Sequence, residues 1–328
     1  MNCDLSIVVP SYNEAESLGE LVAWIERVMK TTEWSYEVII VDDGSQDDTI
    51  SVVTSLSQAD SRIKCISFRR NYGKSAALNV GFEATQGNVV ITMDADLQDS
   101  PDEIPALMNM ILNEGYDMVS GWKKVRHDPI SKTLPSKLFN NVVRRISGIQ
   151  LHDFNCGLKA YRSNVVKSVE VYGEMHRYIP LLAKEAGFNN IGEKVVHHQK
   201  RKYGKSKFGL NRFINGYLDL ISLWFLQKFG RKPMHLFGVG GSLMFLIGIV
   251  ISIWIIIKKL ILQAKTQADF NSQGFSNIRL RAVTDQPLFF IALLVIIIGV
   301  MLFLTGFIAE LISRNSLNRN QYQIKKKI

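Results

Sequence analysis

Cysteine is scarce in this chain of 328 residues: Cys3, Cys65 and Cys156 are its only three, and they lie far apart. Such spacing fits neither a disulfide framework nor a paired zinc site, and it predicts reduced thiols in a cytoplasmic setting. The opening run Met1-Asn-Cys-Asp-Leu-Ser-Ile-Val-Val-Pro-Ser-Tyr-Asn-Glu14 lacks a basic region followed by a long apolar stretch and a small-residue cleavage site. No secretory signal is expected, and the N-terminus is expected to stay in the cytosol. Two strings, Gly73-Lys74-Ser75 and Gly204-Lys205-Ser206, lack the earlier glycine of a phosphate-binding loop, because Phe68 and Gln199 stand in its place. That excludes a kinase or ATPase of the P-loop type. No nucleic-acid module occurs either, although a formal charge of +9 calls for an anionic partner.

The position of that charge is informative because it borders the longest apolar runs. Met234–Ile257 and Pro287–Ile312 contain no Asp, Glu, Lys or Arg before Glu310. Each exceeds the roughly 20 residues needed to cross a hydrocarbon core about 30 Å thick, so both are expected to span a membrane. Lys228, Arg231 and Lys232 precede the first run, and Arg314, Arg319 and Lys325–Lys327 follow the start of the last polar tail. This bias predicts that both termini are cytoplasmic, although Lys258, Lys259, Lys265, Arg279 and Arg281 in the connection weaken it. Upstream, Gln199–Lys232 carries nine basic residues against Asp219 alone, with Phe208, Phe213, Tyr217, Leu220, Trp224 and Phe225 at helical spacing. The pattern predicts an amphipathic helix in the membrane interface.

The first two hundred residues follow another rule. Short apolar runs at Ser6–Val9, Val38–Val41, Ile63–Phe68, Val89–Met93 and Met118–Ser120 alternate with helical periodicity near 14–30, 47–57, 75–85 and 101–113. Alternation of this kind predicts a mostly parallel sheet flanked by helices, with Asp47 capping the second helix and Pro101 opening the fourth.

Chemistry concentrates where those strands end. Val89-Val-Ile-Thr-Met-Asp-Ala-Asp-Leu-Gln98 is an apolar strand closing on two carboxylates and an amide, hard oxygen donors suited to Mg²⁺ or Mn²⁺ beside substrate phosphates. Alone, an Asp-x-Asp is weak, because it often only caps a helix. Here Ser6-Ile-Val-Val-Pro-Ser-Tyr-Asn-Glu14 and Glu37-Val-Ile-Ile-Val-Asp-Asp-Gly-Ser45 also end in polar clusters, and open α/β sheets place ligands at such edges. Asp42 and Asp43 also have a bland reading as turn formers before Gly44. A second basic stretch, Lys123–Arg145, has seven basic residues against Asp128 and offers Lys123, Arg126, Lys137, Arg144 and Arg145 as seats for a phosphate.

In combination, Val9-Pro-Ser-Tyr-Asn-Glu14, Val41-Asp-Asp-Gly-Ser45, Arg70-Asn-Tyr-Gly-Lys74, Asp94-Ala-Asp-Leu-Gln98, Asp153-Phe-Asn-Cys-Gly-Leu-Lys159 and Arg201-Lys-Tyr-Gly-Lys-Ser-Lys-Phe208 resemble glycosyltransferase family 2. The likeness is to its polyprenyl-phosphate branch, which includes dolichyl-phosphate mannose synthases and bactoprenol glucosyltransferases. The resemblance implies an α/β domain of the GT-A, Rossmann-like type over 1–198 and a basic loop with amphipathic juxtamembrane helix over 199–233. Spans at 234–257 and 287–312, an extracytoplasmic loop at 258–286 and a cytoplasmic tail at 313–328 complete it. It further implies inverting transfer of one sugar from a nucleotide sugar, UDP-linked by preference, to polyprenyl (undecaprenyl) phosphate at the inner membrane, by a homo-oligomer such as a tetramer. Pro10, Tyr12, Glu14, Asp42, Asp43, Lys74, Ala95 and Lys207 would bind the donor, with Asp94 touching it and Asp96 and Gln98 holding the metal. Asp94, Asp96, Asp153 and Arg201 would be catalytic. This chain has Ser120-Gly-Trp-Lys-Lys124 where relatives carry an Arg after Ser-Gly, so Lys123 is the expected substitute.

The rivals are a polysaccharide synthase, which would carry Gln-x-x-Arg-Trp and more spans, and a membrane-tethered nucleotide-sugar scaffold without turnover. His197-His198 lacks nearby metal-ligand partners, and Gly238-xxx-Ser242 reads as a small-xxx-small pair able to support oligomers.

Overall fold

The computed structural model describes residues 3–124, 140–145, 147–199, 202–203, 225, 229, 233–273 and 282–315. The chain divides into two compact units, Met1–Ile221 with Gln323–Ile328, and Ser222–Tyr322.

In the first unit, β1 (Cys3–Ser11), β2 (Tyr36–Asp42), β3 (Ile63–Ser67), β4 (Gly87–Thr92) and β5 (Met118–Trp122) alternate with α1 (Ala15–Met29), α2 (Thr49–Ala59), α3 (Lys74–Ala84) and α4 (Ile104–Leu112). Helical residues at 140–145, β6 (Lys159–Arg162), α5 (Ser163–Ser168), α6 (Ile179–Glu185) and β7 (Ile191–Val195) follow. The central strands carry apolar runs because helices cover both faces: Leu5, Ile7, Val9, Val89 and Ile91 pack with Leu18, Leu21 and Ile25 of α1, while Ile39 and Val41 meet Ala77 of α3.

Seven strands lie in the order β3-β2-β1-β4-β6-β5-β7. All run parallel except β6, which is antiparallel to both β4 and β5. Order reverses between β1 and β4, which makes that gap the topological switch point where open sheets bind ligands. Because β6 runs backwards, its beginning lies at the edge where β1, β2, β4, β5 and β7 end. The loop 153–158 that leads into β6 is therefore delivered to the Asp94 edge.

Of two local expectations, the cap of α2 is corrected and the opening of the fourth helix at Pro101 is met. The N-cap position of α2 is Asp48, yet the carboxylate that accepts the Thr49 N–H, at 3.1 Å, is that of Asp47. The fourth helix opens as a 3-10 turn over Pro101–Glu103, with Ser100 as the capping acceptor.

The second unit is a pair of long helices, α7 (Met234–Gln273) and α8 (Pro287–Asn315), preceded at α8 by a 3-10 turn at Val283–Asp285. Both contain stretches long and apolar enough to cross a membrane, with mean hydropathy 2.5 and 3.1, and only 11% of each stretch is buried in the protein. Core helices of a soluble domain would be buried, so the exposed apolar faces point to membrane association. The expected loop at 258–286 is corrected: α7 continues as helix through Lys258 and Lys259 to Gln273. No glycine or proline interrupts 249–273, and Leu, Gln, Ala and Lys there favour helix.

The small residues of this unit serve packing within the chain. A Cβ on Gly299 would lie 2.6 Å from the Phe245 nitrogen and 2.8 Å from the Gly241 carbonyl, and one on Gly248 would meet Ala292 and Ile296. The glycines at 241 and 248, and those at 299 and 306 with Ala292, repeat every seven residues, which keeps one seam of each helix facing the other. Gly238 also borders Gly306 in this seam, whereas Ser242 is exposed. Gly299→Leu is expected to lower the helical melting temperature of the full chain in detergent by more than about 5 °C, against little change for Gly240→Leu, which has open space beside it. Equal effects from the two variants in circular-dichroism melts would refute the seam.

Candidate functional site

One side of the edge is a knot of backbone and short polar side chains. Asn13, in the left-handed region at φ 53°, donates its N–H to Ser45 Oγ at 2.8 Å, and its own Oδ1 accepts the Gln46 N–H at 2.8 Å. Glu14 N–H reaches Thr49 Oγ1 at 2.9 Å, so the turn after β1 is fastened to the loop after β2. Pro10 and Tyr12 flank this knot, half-buried. Asp42 accepts from Ser45 N–H at 3.2 Å and from Ser67 Oγ at 2.8 Å. Asp43 accepts the Tyr72 and Gly73 N–H groups at 2.7 and 2.9 Å, which holds the segment that leads into α3. Burial raises the Asp43 carboxyl, partly offset by those two amides.

The first residue of α3 reaches the centre. Lys74 forms an ion pair with Asp94 Oδ1 just beyond β4. Burial would raise the Asp94 carboxyl, yet Lys74, with Lys123 and Lys159, holds it down at about 2. Ala95 is buried, and Asp96, also buried, accepts the Gln98 N–H on Oδ1 at 3.1 Å. Between them Leu97 adopts φ 62°, an unusual conformation for a branched residue that only a crowded surrounding sustains. Core packing of the Leu97 side chain supplies that surrounding.

This loop is tied from three sides. Gln98 exchanges backbone contact with Gln199, whose N–H donates to the Gln98 carbonyl at 3.0 Å, and Asp99 bridges to His198. Asp99, fully buried, pairs through Oδ1 with Lys123 at 2.8 Å. Burial lowers the Lys123 ammonium, but Asp99, and then Cys156 and Asp94, raise it overall. Its charge is thus already engaged by a carboxylate of the same loop. The third tie is Gly157: a Cβ there would fall 2.5 Å from Asp94 Oδ2, so only glycine lets the 153–158 loop lie against that carboxylate. Thr92 Oγ1 donates to the Gly157 carbonyl at 2.8 Å and secures the approach.

Asp153 stands at the start of that loop, 1% exposed; Oδ1 accepts the Asn155 N–H at 3.0 Å and its carbonyl accepts Ser120 Oγ at 3.3 Å. Next to it Trp122 stacks on His152, ring centroids 4.1 Å apart, and His152 also bonds Glu193. Arg144 donates Nε to the Leu151 carbonyl at 3.0 Å. Pro10, Tyr12, Glu14, Asp42, Asp43, Lys74, Asp94, Ala95, Asp96, Gln98, Lys123 and Asp153 therefore share one sheet edge. Arg126, Lys137, Arg201 and Lys207, with most of 199–233, lie outside the described residues.

Sequence reasoning missed Asp99, Gly157 and His176, and gave Lys159 no role. His176 reaches the centre from a 3-10 turn, where Nδ1 lies 3.0 Å from Ser75 Oγ. A motif of alternating apolar residues could not have pointed to any of them.

Among the described residues no cluster of three or more His, Cys, Asp or Glu could hold a metal ion by itself. The loop carrying Asp96 and Gln98 offers oxygen donors only, which fits a hard cation completing its shell with water and phosphate oxygens.

With this geometry in view, residues 6–169 match the family described as Glycosyl transferase family 2. The chain is also 32% identical, over 95% of its own length and 88% of the other's, to the dodecaprenyl-phosphate galacturonate synthase of Rhizobium johnstonii. The chain belongs to glycosyl transferase family 2. It is 37% identical, over 81% of its length and 77% of the other's, to the undecaprenyl-phosphate 4-deoxy-4-formamido-L-arabinose transferase of Pseudomonas syringae. Its fold is that of mannosyl-3-phosphoglycerate synthase from Rubrobacter xylanophilus, at TM-score 0.57 and 17% identity over 69% of this chain and 75% of that one. A similar match, TM-score 0.51 and 20% identity over 69% and 78%, links it to the Mycobacterium tuberculosis glucosyl-3-phosphoglycerate synthase in complex with Mn²⁺, uridine diphosphate and phosphoglyceric acid. The GT-A architecture expected for a family 2 glycosyltransferase is thereby met.

For this glycosyltransferase, Gly157→Ala is expected to cut the transfer rate more than tenfold with the fold retained, because the new methyl displaces the Asp94 carboxylate. Steady-state kinetics beside a far-ultraviolet dichroism spectrum checks it, and an active Gly157→Ala enzyme would remove the contact from the site.

Proposed function

We propose that this glycosyltransferase moves one sugar from a nucleotide diphosphate carrier, UDP by preference, onto the phosphate of a polyprenyl lipid such as undecaprenyl phosphate. The observation that carries the reading is the joining, in one chain, of the Asp94–Asp96 loop at the switch point with two apolar helices suited to a bilayer. Likeness over almost the whole chain to enzymes named for dodecaprenyl and undecaprenyl phosphate supports it. Those relatives handle different sugars, so the transferred sugar is left to experiment.

In this reading the knot of Pro10, Tyr12, Glu14, Asp42 and Asp43 holds the nucleoside, and Asp94 and Lys74 take the sugar and diphosphate. Asp96 and Gln98 hold Mg²⁺ or Mn²⁺, which when bound neutralises the nucleoside diphosphate leaving group. A lipid phosphate with a second pKa near about 6 is already largely dianionic at neutral pH, so no strong base is needed. Its oxygen forms a bond to the anomeric carbon as the bond to the diphosphate oxygen breaks, with inversion, and the electron pair departs with the nucleotide. Asp153 orients the acceptor, while Arg126, Lys137 and Arg144 supply the positive field at which its phosphate collects, Lys123 being already paired with Asp99. Arg201 and Lys207 stabilise the departing charge. The basic flanks favour an inner-membrane protein with the catalytic domain and both termini cytoplasmic, and a homo-oligomer fits the exposed apolar faces.

The test is transfer of radiolabelled sugar from UDP- and GDP-sugars to polyprenyl phosphate by the full chain in detergent with Mn²⁺. Labelled lipid should form, vanish on chelation and fall at least about a hundredfold in Asp96→Asn. A water-soluble polymeric product, or nucleotide binding without any labelled lipid, would overturn the proposal in favour of a synthase or a non-catalytic scaffold.

A further inference from the structure

Lys159 is 3% exposed at the start of β6, opposite Thr92 of β4 and Ser120 of β5. Buried ammonium groups are almost always paired with a carboxylate, since an isolated one costs several kcal/mol. Lys159 forms no ion pair among the described residues, and its ammonium donates to the Cys156 carbonyl. Cys156 offers no countercharge, because burial pushes its thiol up to about 12 and leaves it neutral. The Cys156 sulfur also fills the space where Gly121 lacks a side chain, which fixes the loop further.

The small cavity beside the ammonium is lined by Lys74, Thr92, Asn155, Tyr161 and His176, with no acidic residue. Burial, with Lys74 adding to it, lowers the Lys159 ammonium below its ordinary value against the opposing influence of Cys156, Asp153 and Asp94.

We propose that Lys159 is a positioning residue for sugar transfer: a buried amine that clamps the 153–157 loop through the Cys156 carbonyl. The inference rests on the reading of Asp94 and Asp153 as site residues. Through the clamp, Gly157 is kept against Asp94 and Asp153 is kept buried at the acceptor side. Neither contact would survive if the loop lifted by the length of one hydrogen bond. A residue that acts in this way changes turnover more than substrate affinity, because the groups it aligns are needed in the transition state. It contributes nothing to stability as an ion pair, and an apolar group of equal length fits the same space.

The experiment compares wild type, Lys159→Met and Lys159→Arg as full chains in detergent, with polyprenyl phosphate and the donor that wild type uses. Lys159→Met should lower kcat at least thirtyfold, with the KM for donor within about threefold and the melting temperature unchanged or higher. Lys159→Arg, which keeps an N–H donor, should recover part of kcat. A structural role alone would instead lower the melting temperature, and loss of kcat only in proportion to unfolded protein overturns the inference. So does full activity of Lys159→Met. Should Lys159→Met fail to fold, Thr92→Val, which removes the neighbouring anchor of the loop at the Gly157 carbonyl, should reproduce the kcat loss, and an unaffected kcat there overturns the clamp. Absence of transfer by wild type would sink the proposed function and this inference together, whereas an active wild type with an unimpaired Lys159→Met sinks the inference alone.

Discussion

The contact between the Asp94 carboxylate and the bare Cα of Gly157 is the constraint on which the rest of the site depends. It joins the loop that leaves β4 to the loop that enters β6, two segments more than fifty residues apart in sequence. Nothing but glycine is tolerated at that distance, and nothing but an antiparallel β6 would bring the second loop to this edge. The reversed strand is therefore a functional feature of the sheet. A wholly parallel arrangement would have put 153–158 at the opposite end, away from the switch point.

Much of this was legible in sequence, and the exceptions have physical reasons. β1, β2 and β4 announce themselves because each is buried on both faces and carries a run of consecutive apolar residues. β6 does not, since Lys159-Ala-Tyr-Arg162 buries a lysine and a tyrosine where a pattern search wants valine. β7, Ile-Gly-Glu-Lys-Val, is a half-exposed edge strand with charges on it. The acidic tips of β2 and β4 could be located from spacing, but the partners of Asp43 and Asp99 could not. Asp43 faces backbone amides of a loop, and Asp99 faces Lys123, expected to serve a phosphate. For α7, hydropathy marked where the apolar stretch stops, whereas the helix stops where its favourable residues stop, at Gln273 just before Gly274.

The second unit solves a different problem with the same device. Between two helices exposed to lipid there is no hydrophobic gain in burying leucine against leucine, so close approach through glycine must supply the attraction. The seven-residue repeat of small residues gives that approach a continuous seam, while Leu243, Phe245, Ile291 and Phe307 remain outward. In the soluble unit glycine brings a loop to a carboxylate; in the helical unit it brings backbone to backbone.

Charge balance explains why the site stays assembled before any substrate arrives. Asp94, Asp96, Asp99 and Asp153 are gathered within a few residues of one edge, and left alone they would repel one another. Lys74 answers Asp94, Lys123 answers Asp99, and Lys159 ties down the loop after Asp153 through the Cys156 carbonyl. Each lysine comes from a different element, α3, the end of β5 and the start of β6, so these contacts also fix three parts of the fold relative to each other. An incoming donor then finds the carboxylates already held in place, with little reorganisation left at the moment of transfer. The Lys74–Asp94 pair is the one substrate would have to share. It lies at the mouth of the site, partly exposed, where exchanging one charged hydrogen bond for another costs least.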